Sequence, residues 1–200
     1  MKIVLSALAA LFLSSAAGFA ADYVALVDHP QPAADGSEFY TAIEIPAGGF
    51  TKYEIDVDTG HIVVDRFVSM PVAYPANYGS ITSSLGGDGD PLDALVYTRE
   101  PIAPGAVIRV RPIGVLKMID GGEVDDKIVA VPVSKVDPTY EAIKEVSDLP
   151  RIEQERLQAF FAVYKNIPEG SKKVELKGFE PAEKAKGEIA SAIKAYSEKK

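Results

Sequence analysis

The chain has 200 residues, no cysteine, and 29 acidic against 21 basic side chains, a formal net charge of −8. At 47% hydrophobic and 25% charged residues it is too apolar for a disordered chain, and its length allows only one or two domains. The missing cysteine excludes a disulfide framework, thiol catalysis and iron–sulfur chemistry, and the acid excess argues against nucleic acid as a partner, because phosphates require a basic face.

Met1 to Ala20 differs from the remainder. Lys2 is its only charge, Ile3 to Leu13 is apolar, and small residues lead to Gly18-Phe19-Ala20. That is the pattern of a cleavable signal peptide, with an apolar run too short to span a bilayer. Cleavage after Ala20 is expected to export the protein, in a bacterium to the periplasm; without a working signal it stays cytoplasmic. No later stretch is long and apolar enough to hold the cleaved chain in a membrane.

Residues 21–200 read as one domain. Residues 22–37 form an irregular lead-in. Phe39 to Ile45 is a strand candidate stopped by Pro46, and Thr51 to Val57 and His61 to Phe67 flank the turn signal Asp58-Thr59-Gly60 as a hairpin. Residues 69–91, dense in Pro and Gly, read as a long loop, and a loop of that length in a compact domain is usually functional. Ala94 to Thr98, Ala106 to Leu116 and Lys127 to Val133 are further strands. Asp137-Pro138 opens a helix to about Val146, Pro150 a longer one to about Asn166, with Ile152, Leu157, Phe160, Phe161 and Tyr164 on its apolar side. Pro181 opens a third, with Ala182, Ala185, Ile189, Ile193 and Tyr196 at three- and four-residue spacing. Strands first and helices after predict an α+β fold, and short strands with tight turns favour a small closed barrel.

The acids are not spread evenly. Asp88-Gly-Asp-Pro-Leu-Asp93 places three carboxylates within six residues, and Asp120 to Asp126 is a second acidic turn. Like charges this close repel unless a cation compensates. With no cysteine and only His29 and His61, hard cations such as Mg²⁺ or Mn²⁺ suit the oxygen donors better than zinc or copper. An EF-hand does not fit, since its sixth and twelfth positions need Gly and Glu, and Asp93 and Arg99 stand there. Lys52, Arg66, Lys127, Lys165, Tyr74, Tyr78 and Tyr164 supply donors that suit a polyphosphate. Each one alone is an ordinary surface cation or core phenol.

Taken in order, these motifs resemble the Mg²⁺-dependent soluble inorganic pyrophosphatases of bacterial type. Asp88-Gly-Asp-Pro-Leu-Asp93 is similar to the signature of that family. Glu44 in Ile-Glu-Ile-Pro, Lys52 to Asp56, Val64 to Phe67, Tyr74 to Gly79, Arg111 to Met118, Asp120 to Lys127 and Tyr164-Lys165 accompany it. The resemblance implies a five-stranded barrel of OB type with C-terminal helices packed outside, and hydrolysis of pyrophosphate to two phosphates by a metal-activated water. It implies several Mg²⁺ ions, with Mn²⁺ or Zn²⁺ as substitutes, held by Asp88, Asp93 and Asp125 and, with substrate bound, by Asp120 and Glu44. Asp90 becomes the general base, Lys52, Arg66, Tyr78, Lys127, Tyr164 and Lys165 grip the phosphates, and Glu54 and Tyr74 support them. It further implies a homo-oligomer, commonly a hexamer.

The chain departs from that pattern at Gly121, where relatives often carry a second acid, and at Ala159 and Val163, where some carry interface histidines. A hydrolase of another phosphate ester or nucleotide and a non-catalytic OB-type binding module are the alternatives. Several converging carboxylates argue against the binding module.

Overall fold

A computed structural model describes residues 24–57 and 59–199, so the signal segment expected over residues 1–20 lies outside the described residues. In chain order the strands are β1 (Phe39–Ile45), β2 (Thr51–Ile55), β3 (Ile62–Phe67), β4 (Asn77–Ile81), β5 (Asp93–Val96), β6 (Val107–Asp120), β7 (Glu123–Val124), β8 (Lys127–Pro132) and β9 (Val174–Pro181). Helix α1 (Arg151–Val163) precedes β9 and α2 (Ala182–Lys199) follows it.

The pairings close a ring. β1 pairs with β4, β4 with β5, β5 with β8, β8 with β6, and β6 returns to β1. All are antiparallel except β5 with β8. This is a five-stranded barrel with the strand order of an OB fold, and closure removes the edges that an open sheet would expose. β6 is long enough to leave the barrel, where its far half pairs with β7 and β9. The β2–β3 hairpin forms a separate two-stranded sheet.

Side chains on the barrel strands alternate between two cores, as a two-residue repeat requires. Leu95, Val129 and Val131 join Leu157, Phe160, Phe161 and Tyr164 of α1 and its C-terminal cap. Ala94, Val96, Ile128 and Ala130 join Ala185 and Ile189 of α2. Each fully buried Leu, Ile or Phe contributes about 1.5–3 kcal/mol. These helices are therefore held by packing rather than by their weak intrinsic propensity.

Three expectations need correction. The loop read over residues 69–91 contains β4, every residue of which is buried. Pro75 and Gly79 disguise it, yet Gly79 is there for a tertiary reason: a Cβ would lie 2.1 Å from the Ala42 carbonyl oxygen across the β1–β4 pair. The helix expected from Pro138 to Val146 is only two 3-10 turns, Pro138–Tyr140 and Val146–Asp148. Asp137 caps the first through Thr139 N–H (3.0 Å). Asp148 takes the N–H groups of Lys144 and Glu145 at 2.8 and 2.9 Å, so those donors do not propagate a helix. Two C-terminal helices result instead of three, and Ile152 is 60% exposed. It lies roughly 140° round the helix from Leu157 at 3.6 residues per turn. β9 was not expected: Val174 to Lys177 alternate as a strand does, but the run is short, is broken by Gly178 at φ 91°, and needs β6 as a partner.

Gly79→Ala should cost about 3 kcal/mol or more through backbone displacement in the barrel, read by chemical denaturation. A midpoint equal to that of the parent would refute the close-approach account.

Candidate active site

A cavity of about 470 Å³ opens at one end of the barrel, between the β2–β3 hairpin, the Asp88–Asp93 loop and the end of α1. Its wall includes Glu44 from β1, Lys52 and Glu54 from β2, Arg66 from β3 and Tyr78 from β4. Asp88, Asp90 and Asp93 come from the loop and the start of β5, Asp125 from the β7–β8 connection, Lys127 from the start of β8, and Tyr164 and Lys165 from just beyond α1, with Tyr74 beside them. Residues spread over 122 positions of sequence thus meet in one place, and every expected site residue but one is on the wall. The exception is Asp120, which is buried and ion-paired with Lys165 on the wall.

The electrostatics of the wall are organised around a buried lysine. Lys127 is 2% exposed and ion-paired with both Asp93 and Asp125. Desolvation works against its charge, but the two carboxylates more than offset it and hold its pKa above the usual lysine value. Its ammonium also stands 5.8 Å from the centre of the Tyr78 ring, within cation–π range. Lys52 is similarly paired with Glu54 and, at 3.1 Å, with Asp65, which also binds Arg66.

Glu44 is buried and accepts a 2.8 Å hydrogen bond from the Ser80 hydroxyl. Burial pushes its carboxyl up to about 7; the Ser80 hydrogen bond opposes this and the Asp93 charge adds to it. Asp90 is raised by partial desolvation and by the negative charges of Asp88 and Asp93. Burial raises Tyr74, Tyr78 and Tyr164 well above the usual phenol value, so all three stay protonated hydrogen-bond donors. Tyr74 packs its ring on Phe160 at 4.6 Å and on Tyr78 at 5.5 Å, which fixes the aromatic floor of the site.

Ser80 and Asp65 received no role from sequence. Ser80 was hidden inside the segment read as a loop. Asp65 could have been found from the hairpin register, which sets Lys52 opposite Arg66 with Asp65 between the two cations.

The donors suit a hard cation. Seven carboxylates face four cationic side chains on the wall, so an anionic ligand meets net negative charge unless cations come with it. One carboxylate oxygen, Asp120 Oδ1, is buried without a hydrogen-bond partner, the kind of atom an ion or water would satisfy. Among the described residues no three carboxylates are gathered tightly enough to cage an ion unaided. Lys127 stands between Asp93 and Asp125.

Comparison with known proteins agrees with this geometry. The sequence profile of the inorganic pyrophosphatase family matches residues 41–197. The inorganic pyrophosphatase of Aquifex pyrophilus is 48% identical over 159 residues, covering 80% of this chain and 89% of that protein. The enzyme of the same name from Escherichia coli K12 is 47% identical over 163 residues, covering 81% and 92%. The crystal structure of the Thermus thermophilus inorganic pyrophosphatase superposes with a TM-score of 0.82 at 34% identity, covering 86% of this chain and 99% of that one.

The Glu44 carboxyl makes a pH prediction for metal-free protein. Its folded pKa lies above the usual 4.5, so the folded state binds more protons and stability falls as pH rises from about 4.5 to about 7. The loss is about 3 kcal/mol, complete above about pH 7. Glu44→Gln should flatten that slope in denaturation curves taken in chelator at about pH 5 and about pH 8. An unchanged slope would place the titrating group elsewhere.

Proposed function

The chain belongs to the inorganic pyrophosphatase family and hydrolyses pyrophosphate to two phosphates; from that premise we propose how its own side chains divide the work, and that Mg²⁺ is the metal and the bacterial periplasm the place. The observation that carries the residue assignment is the excess of carboxylate over cation on a wall that must receive a highly charged anion. Asp88, Asp93 and Asp125, joined by Asp120 and Glu44 when substrate is present, would hold divalent ions, which would offset the substrate charge and lower the pKa of water. Their oxygen-only character favours Mg²⁺, with Mn²⁺ or Zn²⁺ as substitutes.

The remaining steps belong to the protein. Lys52, Arg66, Lys127 and Lys165 neutralise phosphate oxygens, and the Tyr78 and Tyr164 hydroxyls donate to them. Neither phenol can ionise near neutral pH, so both remain donors throughout. Glu54 and Asp65 orient Lys52 and Arg66, so the cations are aimed before substrate arrives. Asp90 takes the proton of the attacking water. Its raised pKa brings it closer to neutrality, where a base is most effective, and its exposure lets the proton leave to solvent. No covalent enzyme intermediate is needed, because water attacks phosphorus directly. Lys127 keeps Asp93 and Asp125 from repelling each other before the cations bind.

We further infer export through residues 1–20, on their charge and apolar pattern, and a homo-oligomer by resemblance to the family. Ala159 and Val163 give any hexamer different contacts from relatives with histidines there.

Two experiments test these readings. Asp90→Asn should lower phosphate release at saturating Mg²⁺ and pyrophosphate by about a hundredfold or more, while calorimetry still detects Mg²⁺ binding. Near-parent turnover would remove Asp90 from the role of base. A reporter fused behind residues 1–20 should reach the periplasm of a bacterial host; a reporter retained inside the cell would end the export reading.

A further inference from the structure

Residues 24–38 precede the barrel and run across its outer surface as a strap between β1, the start of the acidic loop and α2. The strap is fastened along its length. The Gln31 side chain accepts from Tyr40 N–H (2.7 Å) and donates to Tyr40 O (3.1 Å) and Thr82 Oγ1 (2.8 Å). The His29 ring meets the Tyr40 ring edge-on at 4.8 Å. Asp28 receives the Tyr196 hydroxyl of α2. Gly36 passes so close to α2 that a Cβ would lie 2.4 Å from Lys186 O.

At one point this strap reaches the active site. Val27 lines the substrate cavity, and its carbonyl accepts the Ser83 N–H at 2.6 Å. Two residues on, the His29 carbonyl accepts the Ser83 hydroxyl at 3.0 Å. Ser83 is the only non-glycine with positive φ among the described residues, at 45°. It lies two residues beyond the end of β4 and turns the chain into the segment that carries Asp88, Asp90 and Asp93. Left-handed backbone is uncommon for serine and persists where surrounding contacts hold it. Here the two strap carbonyls do so. Beyond Ser83, Leu85 N–H bonds to Ala192 O of α2 at 3.0 Å and Ser84 Oγ accepts Leu92 N–H at 3.0 Å, so the loop stands on a neck gripped from both sides.

We propose that the strap is a positioning element for the acidic loop, acting through Ser83, and that Ser83 is a positioning residue for Asp88, Asp90 and Asp93. The inference rests on the pyrophosphatase reading only for what those carboxylates do, not for where they stand. The substrate grip of Lys52, Arg66, Lys127 and Tyr164 comes from other elements, so misplacing the loop should weaken metal binding and turnover, and leave substrate affinity alone once Mg²⁺ saturates the site.

Three variants of the full chain test it. Ser83→Gly accepts the left-handed backbone without strain and preserves the fold, but loses the hydroxyl bond to His29. It should weaken Mg²⁺ binding by about fivefold in calorimetry without substrate and lower kcat by a similar factor, the equivalent of one hydrogen bond. At saturating Mg²⁺, KM for pyrophosphate should stay within about twofold of the parent. Ser83→Asn tolerates left-handed backbone and retains a donor, so it should recover most of both losses. Gln31→Ala, which loosens the strap where it holds Thr82 and Tyr40, should give the same signature, and combining it with Ser83→Gly should add little. A purely structural role would lower the melting temperature and leave kcat and Mg²⁺ affinity at the parent value, which would overturn the proposal, as would full additivity of the two changes. If the parent protein binds Mg²⁺ but releases no phosphate, the pyrophosphatase reading fails while calorimetry still decides this inference. A parent that binds no Mg²⁺ removes both.

Discussion

The parallel pairing of β5 with β8 is the constraint on which the site depends. It sets Asp93 beside Lys127 in register, and Asp125 two residues before Lys127 completes the group. A lysine that is 2% exposed would ordinarily lose its proton or destabilise the fold. Between two carboxylates it keeps its charge, and those carboxylates in turn sit close together without a net repulsion. The cavity therefore holds fixed charges on its wall before any ligand is present. In an enzyme for a small, highly charged anion, much of the catalytic effect comes from fixed charges that need not reorganise when the substrate binds.

A parallel pair cannot be joined by a tight turn, so the chain must travel between the two strands by another route. Here that route is β6, which crosses the barrel wall, closes the ring against β1 and continues outward to carry Asp120 at its far end. The same crossing brings the second acidic turn back toward the first. Barrel closure and assembly of the two acidic segments are consequently one event. Gly79 belongs to the same requirement: β1, with Glu44, and β4, with Tyr78, approach so closely that any side chain at Gly79 would meet the Ala42 carbonyl.

Much of this was legible in the chain. The Asp88–Asp93 cluster, the β2–β3 hairpin and the apolar runs of β1, β5, β6 and β8 are local signals, readable because charge spacing and two-residue alternation act over a few neighbours. α1 and α2 showed through the three- and four-residue spacing of Leu157, Phe160 and Phe161 and of Ala185, Ile189 and Ile193. β4 and β9 were not legible. Gly79 and Pro75 read as loop residues until the packing partner of Gly79 is known, and the brief alternation of β9 is cut by Gly178 and completed only by pairing along β6. The short turns at Pro138 and Val146 were mistaken for a helix because the competitor for their backbone donors, the Asp148 carboxylate, is a side chain whose direction no periodicity records.

By itself the sequence determined which chemistry was available: oxygen ligands without thiols, phosphate-seeking cations, and carboxylates in excess. Residue type decides this directly, because hard cations and phosphate oxygens choose partners by charge and donor atom. Only the tertiary structure decided which acids face one another and which are neutralised. Glu44 is lifted to about 7 by burial, Lys127 keeps its charge between Asp93 and Asp125, and Ser83 holds the loop against the strap. Ionisation and orientation depend on desolvation and on neighbours many residues away, and those exist only once the barrel has closed.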